Sequence, residues 1–229
     1  MRLLAFETAT EACSVALWLD GEIRERFEVA PRRHAELALP WADALLAEAG
    51  VAKSQLDAIA VGRGPGAFTG VRLGVALAQG IALGLDRPVV PVSTLAVLAA
   101  PVAAEGIIAA IDARMGEVYL GAFRRKGELL VAAQPEAVGN PGDIDLPAGG
   151  DWHGAGTGFA AVDGALAARF GPRLASVDAT ALPRAADVAR LAAPMLARGE
   201  AVAPERVEPA YLRDNVALTL AEQRARKTR

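Results

Sequence analysis

The sequence contains one cysteine, two histidines and few aromatic residues. Since Cys13 is its only cysteine, an internal disulfide is excluded and a reducing compartment is expected. His34 and His153 lie far apart and form no His-x-x-x-His pair, which argues against a metal centre. Aromatic residues make up 5% of the 229 residues, whereas hydrophobic residues make up 53%, with alanine the most frequent among them. Small side chains are therefore expected to fill the interior.

Long apolar segments and an excess of positive charge are also missing. No uncharged apolar run reaches the roughly 20 residues that span a bilayer, and the nearest, 73–85, is shorter. The acidic residue Glu7 lies too close to residue 1 for this segment to be the apolar part of a signal peptide. The formal net charge is −3, whereas a protein that binds nucleic acid alone usually carries a basic face. We therefore predict a soluble cytoplasmic protein that shares any RNA contact with another subunit.

The order of the predicted elements indicates an α/β fold. Two alternating segments flank the hairpin signal Asp20-Gly21, which predicts an opening meander of three strands. A helix, a strand, a glycine-rich loop, a second helix and a further strand follow. The predicted bounds are 2–8, 13–19 and 22–29 for the meander, 34–50 and 70–85 for the helices, and 56–61 and 89–92 for the later strands.

The second half of the chain repeats the opening of the first half. Residues 107–112 match residues 3–7, and Lys126-Gly127-Glu128 matches the hairpin signal of the first meander. We predict duplicated actin-like (ribonuclease-H-like) lobes, with mixed sheets and helical cover, over residues 1–104 and 105–229. Chance similarity between short apolar strands is the alternative. Helices are expected at 159–170 and 184–197.

Acidic residues end the first strand of each predicted lobe. In actin-like folds these positions face the nucleotide and its Mg²⁺, and here they are Glu7 and Asp112. With Thr8 and Thr10, they form a candidate cofactor-binding set at a vestigial nucleotide site. The alternative is that the hydroxyls close a turn and the carboxylates cap backbone groups. Residues 113–115 are bulky where a phosphate cradle needs glycine, which weakens the nucleotide interpretation.

The predicted helix 70–85 carries small residues on two faces. One face holds Gly70, Gly74 and Ala78, and the other holds Ala76, Gly80 and Gly84. Such ridges let another backbone approach closely, either from the chain's own sheet or from a partner. We predict a partner surface shared with helix 34–50, which Arg at Gly74 or Gly80 would disrupt. The predicted interface residues are His34, Leu37, Trp41, Leu45, Gly70, Gly74, Leu77, Ala78, Gly80 and Ile81.

Four segments of the sequence are similar to the TsaB (YeaZ) family, which belongs to the actin-like superfamily and is related to TsaD. They are 7–10 (ETAT), 34–40 (HAELALP), 62–72 (GRGPGAFTGVR) and 111–119 (IDARMGEVY), with a weaker fifth at 209–213 (PAYLR). One departure is Glu7, where the family pattern leads us to expect Asp. The matching segments span nearly the whole chain.

This resemblance implies a non-catalytic scaffold subunit of the assembly that moves threonylcarbamoyl onto the tRNA adenosine beside the anticodon. The implied partners are a TsaD-like catalytic subunit and a TsaE-like ATPase, which hold the metal and ATP, so no cofactor is expected on this chain. The tRNA is expected to be reached through the complex, and the isolated chain to be a homodimer. The alternatives are a free-standing actin-like nucleotide-binding kinase or ATPase, and a metallopeptidase. The basic run 224–229 either touches tRNA or is a solvated terminus.

Overall fold

The structure is a computed structural model that describes residues 1–213. Within that range the strands are β1 (Arg2–Glu7), β2 (Ala12–Leu19), β3 (Glu22–Val29), β4 (Ala58–Gly62), β5 (Val89–Val92), β6 (Gly106–Arg114), β7 (Glu117–Lys126), β8 (Leu129–Ala132), β9 (Ala137–Gly139), β10 (Trp152–Ala155) and β11 (Leu174–Asp178). The α-helices are α1 (His34–Ala49), α2 (Phe68–Leu85), α3 (Thr94–Ala99), α4 (Ala165–Phe170) and α5 (Ala185–Ala197).

The two sheets share a five-stranded topology, to which the second sheet adds β9, paired with β7. Their strand orders are β3-β2-β1-β4-β5 and β8-β7-β6-β10-β11. In each sheet the first three strands form an antiparallel meander, and the last two run parallel to the central strand. The prediction of two actin-like α/β lobes is therefore confirmed, and the shared topology extends the internal match seen in the sequence.

The central strand β1 is buried on both faces because helices cover both sides of the first sheet. Leu4 and Phe6 face the cluster formed with α1 and α2, whereas Leu3 and Ala5 face the cluster formed with α5. This division follows from the two-residue period of a strand. It also explains why β1 reads as a continuous apolar run rather than an alternating one.

The last helix of each half covers the sheet of the other half. Leu95 and Leu98 of α3 pack against Ile107 on the second sheet. In return, Val188 and Ala192 of α5 pack in the cluster that covers one face of the first sheet. The sequence boundary predicted at 104 assigns α5 to the second lobe, but in space this helix completes the core of the first lobe.

The N-terminus of α5 is capped by side chains from the first sheet. Its own N-cap residue, Arg184, makes no side-chain capping bond. Instead the Ala185 N–H donates to Ser14 Oγ at 3.0 Å, and the Ala186 N–H donates to Glu25 Oε1 at 3.0 Å. The Arg184 guanidinium also donates to Glu25 Oε2. The first N–H groups of this helix are thus satisfied by the surface that the helix covers.

The structure differs from the sequence prediction in its second half. The helix predicted at 159–170 is only α4, six residues long, and short 3₁₀ turns precede it. The strands β9, β10 and β11 were not predicted, because β9 and β10 are only three and four residues long and β11 is mostly exposed.

Helix α2 contains the apolar run 73–85 and extends it towards the N-terminus. By length and composition alone this 18-residue helix, with a mean hydropathy of 1.4, is apolar enough to cross a membrane. Core helices of soluble proteins pass the same test, so it is weak evidence for a membrane. One face of α2, including Val75 and Ala78, is buried in the core of the first lobe.

Removing the carboxylate that caps α5 tests whether this helix of the second half is anchored on the first sheet. We expect Glu25→Ala to lower the free energy of unfolding by about 2 kcal/mol, because it leaves the Ala186 N–H and the Arg184 guanidinium without their acceptor. Urea unfolding measures this change. The matched control is Glu22→Ala on the same strand, whose exposed side chain pairs only with Arg24 and is expected to change stability by less than about 0.5 kcal/mol. Equal losses in both variants would contradict the capping role.

Candidate functional site

A cleft of about 660 Å³ opens between the two lobes. On one side it is lined by the turn after β1 and by the first turns of α1 and α2. On the other side it is lined by the end of β6, by Tyr119 and by Thr157. Its volume lies within the range of small-molecule sites.

The turn after β1, where an actin-like protein would hold phosphates, is filled by the chain itself. The Ala67 N–H donates to the Ala9 carbonyl at 2.7 Å, and the Thr8 hydroxyl donates to the Gly70 carbonyl at 2.8 Å. A Cβ at Gly74 would lie 2.6 Å from Thr8 Oγ1. The start of α2 therefore packs directly on this turn, and Thr8 faces the interior.

Glu7 also faces the interior. Its carboxylate accepts hydrogen bonds from the Ala9 N–H at 2.8 Å and from the Thr94 hydroxyl at 3.1 Å. Thr94 Oγ1 in turn accepts from the Gly64 N–H at 3.1 Å, and a Cβ at Gly62 would overlap the carboxylate. Burial raises the pKa of Glu7 to about 7. This side chain fixes the glycine-rich loop, residues 62–70, on β1.

Two of the four predicted cofactor residues border the cleft. Thr10 and Asp112 line it, whereas Glu7 and Thr8 are turned away. The Asp112 carboxylate accepts from both the backbone N–H and the guanidinium of Arg114, each at 2.8 Å. A nucleotide in the cleft would thus meet two of the predicted side chains, one of which is already paired.

The histidines make local contacts in separate parts of the protein. Nε2 of His34 lies 2.9 Å from the Thr10 carbonyl oxygen and 3.1 Å from that of Ala12, so His34 fixes the start of α1 to the β1–β2 turn. Nδ1 of His153 lies 2.8 Å from the Ser176 hydroxyl, on the second sheet. Over residues 1–213, no three His, Cys, Asp or Glu side chains lie close enough together to hold a metal ion.

The predicted interface residues divide by burial. The buried members are Leu45, Gly70, Gly74 and Ala78; the half-buried members are His34, Leu37, Trp41, Leu77 and Ile81; and Gly80 is exposed. The buried small-residue ridge packs inside the chain, so Arg at position 74 would disrupt the fold rather than a surface. The sequence allowed either a partner or the chain's own sheet to pack against this ridge. In the structure Thr8, which directly follows β1, packs against Gly70 and Gly74.

The second small-residue ridge is the one that faces outward. We call Ala76, Gly80, Leu83 and Gly84 the outer face of α2; all four are exposed, and Leu83 keeps 60% of its surface. No atom lies within 4 Å of a Cβ built at Gly80 or Gly84. The outer face is therefore apolar, nearly flat and open to close approach by another helix.

A segment near the end of the described chain joins the lobes across the cleft. The Ala210 N–H donates to the Arg63 carbonyl at 2.8 Å. The Arg213 guanidinium then contacts the Ala113 carbonyl and Glu117 in the second lobe. Sequence reasoning singled out residues 209–213 only as a weak family string, because these contacts join positions about a hundred residues apart.

Comparison with known proteins gives consistent matches along the chain. The family model described as TsaD, tRNA N6-adenosine threonylcarbamoyltransferase, matches residues 27–220. A protein of Escherichia coli K12 named tRNA threonylcarbamoyladenosine biosynthesis protein TsaB is 42% identical, over 95% of this chain and 96% of its own length. The chain belongs to the TsaB family. Its match to the TsaD model places it in the same wider family as the transferase.

Further relatives match this chain over nearly its full length. The Haemophilus influenzae protein of the same name is 38% identical, over 94% of this chain and 95% of its own. The solved structure of YeaZ from Pseudomonas aeruginosa is 47% identical with a TM-score of 0.86, and the match covers 92% of this chain and 99% of that one. The TsaB family prediction made from the sequence segments is confirmed.

The buried carboxyl of Glu7 predicts a pH dependence of stability. The pKa of Glu7 is about 7 in the folded chain and 4.5 as its ordinary value, so the folded state binds the proton more tightly. The contribution of Glu7 to stability is then highest below pH 4.5 and falls as the pH rises to 7, by about 3 kcal/mol at about 1.4 kcal/mol per pKa unit. Glu7→Gln removes this titration. We expect the variant to gain stability relative to the parent over this pH range, as measured by urea unfolding, and parallel pH profiles would contradict the assignment.

Two glycines of α2 provide a matched test of which ridge is intramolecular. We expect Gly74→Ala to lower the free energy of unfolding by about 1 to 3 kcal/mol, because the new methyl group meets Thr8 Oγ1. Gly80→Ala has open space and is expected to raise it by about 1 kcal/mol, through helix propensity alone. Urea unfolding measures the free energy of unfolding of both variants. An increase in that free energy for Gly74→Ala would contradict the close contact between this position and Thr8.

Proposed function

We propose that this chain is a non-catalytic scaffold subunit of a cytoplasmic assembly that places threonylcarbamoyl on the tRNA adenosine beside the anticodon. It binds a TsaD-like catalytic subunit, and a TsaE-like ATPase joins them. ATP and metal are held by those partners, and the tRNA is bound mainly by the assembled complex. Membership of the TsaB family and the match to the TsaD model support this proposal.

The filled turn after β1 carries the non-catalytic part of the proposal. An actin-like ATPase holds phosphates on backbone N–H groups and hydroxyls next to its first strand. Here the corresponding backbone is in contact with α2, and the acidic side chain of Glu7 is bonded to Thr94 and to the Ala9 N–H. The first lobe thus lacks an open phosphate cradle, which favours a scaffold over a catalyst.

The outer face of α2 supports the proposed contact with a catalytic subunit. Its small residues allow a partner helix to approach closely, and exposed Leu83 adds apolar area at the contact. Half-buried Leu77 and Ile81 lie on the same helix and extend the surface towards α1. In the absence of the partner, the same face pairs with a second copy of the chain, giving a homodimer.

A free-standing actin-like kinase or ATPase remains the second candidate, because the cleft is large enough for a ligand and retains Thr10 and Asp112 on its wall. It differs from the scaffold in what the isolated chain binds. Micromolar affinity for Mg²⁺-ATP, lost on Asp112→Ala, would favour this candidate and contradict the scaffold proposal.

Size-exclusion chromatography with light scattering tests the scaffold directly. The full chain is mixed with the TsaD-like protein of the same organism, and a new one-to-one peak is expected. Gly80→Arg is expected to weaken that complex at least tenfold, because a long charged side chain would stand on the outer face of α2. The matched control is Ala168→Arg, an exposed position on α4 in the other lobe, which should leave the peak unchanged. Absence of a complex with the parent chain would overturn the proposal.

A further inference from the structure

Exposed aromatic and sulfur-containing side chains lie at the mouth of the cleft or beside it: Phe68 lines the cleft, Tyr211 lines the adjoining pocket that shares Phe68, and Met115 follows Arg114 of the cleft wall. Phe68 is 58% exposed, Tyr211 54% and Met115 88%. The Arg72 guanidinium lies 3.7 Å from the centre of the Phe68 ring and 5.5 Å from that of Tyr211, and its Nε donates to the Tyr211 hydroxyl at 2.8 Å. One face of the Phe68 ring is therefore covered by Arg72, while much of the ring remains open to solvent.

Two arginines at this mouth have no acidic partner. Arg32 is exposed on the cleft wall, and neither Arg32 nor Arg72 forms an ion pair with any carboxylate in residues 1–213. The other two arginines of the wall are already paired, Arg114 with Asp112 and Arg213 with Glu117.

Helix α2 adds positive charge at the same place. It begins at the mouth with no side-chain cap and no acidic residue in its first turn, so its free N–H groups carry partial positive charge. Of the two carboxylates on the cleft wall, Asp112 is paired with Arg114, and Glu11 forms no ion pair within residues 1–213.

We propose that the cleft-mouth patch, formed by Arg32, Phe68, Arg72, Met115 and Tyr211, binds a single-stranded segment of the tRNA. Arg32 and Arg72 contact phosphates, and the open surfaces of Phe68 and Tyr211 stack on bases, which is how sequence-tolerant single-strand binding is built. This inference rests on the proposed function, since it makes the tRNA a direct ligand of the scaffold. Arginines without acidic partners favour a polyanion over a protein surface of mixed charge.

The test measures tRNA binding by the assembled complex as a function of salt. The probe is an unmodified tRNA transcript with the target adenosine, and the variant is Arg32→Glu/Arg72→Glu. Both side chains are exposed, so the variant is expected to fold. We expect at least a tenfold loss of affinity. Since each single-strand phosphate contact contributes about 0.7 to the slope of log K against log salt, the slope should fall by about 1.4.

A charge-matched control separates RNA binding at the patch from a general effect of charge. Lys126→Glu/Arg198→Glu makes the same change of charge at exposed sites on other elements and should leave the tRNA affinity within twofold.

Three results would count against the patch or against its basis, and they can be told apart. An unchanged affinity and slope for Arg32→Glu/Arg72→Glu would overturn the inference. Loss of the one-to-one peak in that variant would assign the patch to a protein partner instead and would also overturn it. If the parent chain forms no complex, the proposed function fails, and the same titration on the chain alone at low salt decides whether the patch binds RNA.

Discussion

The rest of the structure depends on the close packing of the glycine-rich loop and α2 against the turn after β1. Gly62, Gly66, Gly70 and Gly74 each come so close to residues 7–9 that a Cβ would overlap a neighbouring atom. This contact sets the position of α2, buries Glu7 and Thr8, and leaves the opposite face of the helix open. One constraint thus removes the phosphate cradle from the cleft and leaves the outer face of α2 exposed.

Hydrophobic periodicity was enough to predict the first half of the fold. The meander, α1, α2 and the short strand β5 have clear alternating or helical patterns, and hairpin or capping signals mark their ends. In the second half, β10 holds a histidine and a glycine within four residues, so it has no readable period. The helix α5 was predicted close to its bounds, but its docking on the first sheet depends on contacts more than 150 residues apart, such as Glu25 with Arg184.

The candidate site was harder to predict than the fold, because it depends on which way each side chain faces, and the order of residue types does not determine that. A glycine ridge looks the same whether it meets its own chain or another, and only the contact between Gly74 and Thr8 distinguishes the two. In the same way, an acidic residue at the end of β1 fits both a ligand and the interior. The cleft mouth escaped prediction because Phe68, Arg72 and Tyr211 come together only through tertiary contacts.

Helices α3 and α5 each cover the sheet of the other half, and this affects the order in which the chain can fold during synthesis. One face of the first sheet, including Leu3 and Ala5, packs against α5, which ends at Ala197, with Val97 of α3 in the same cluster. A ribosome must therefore complete most of the chain before the first lobe can bury that apolar face. Until then the nascent first lobe exposes it, and such a surface is a binding site for chaperones and a risk for aggregation.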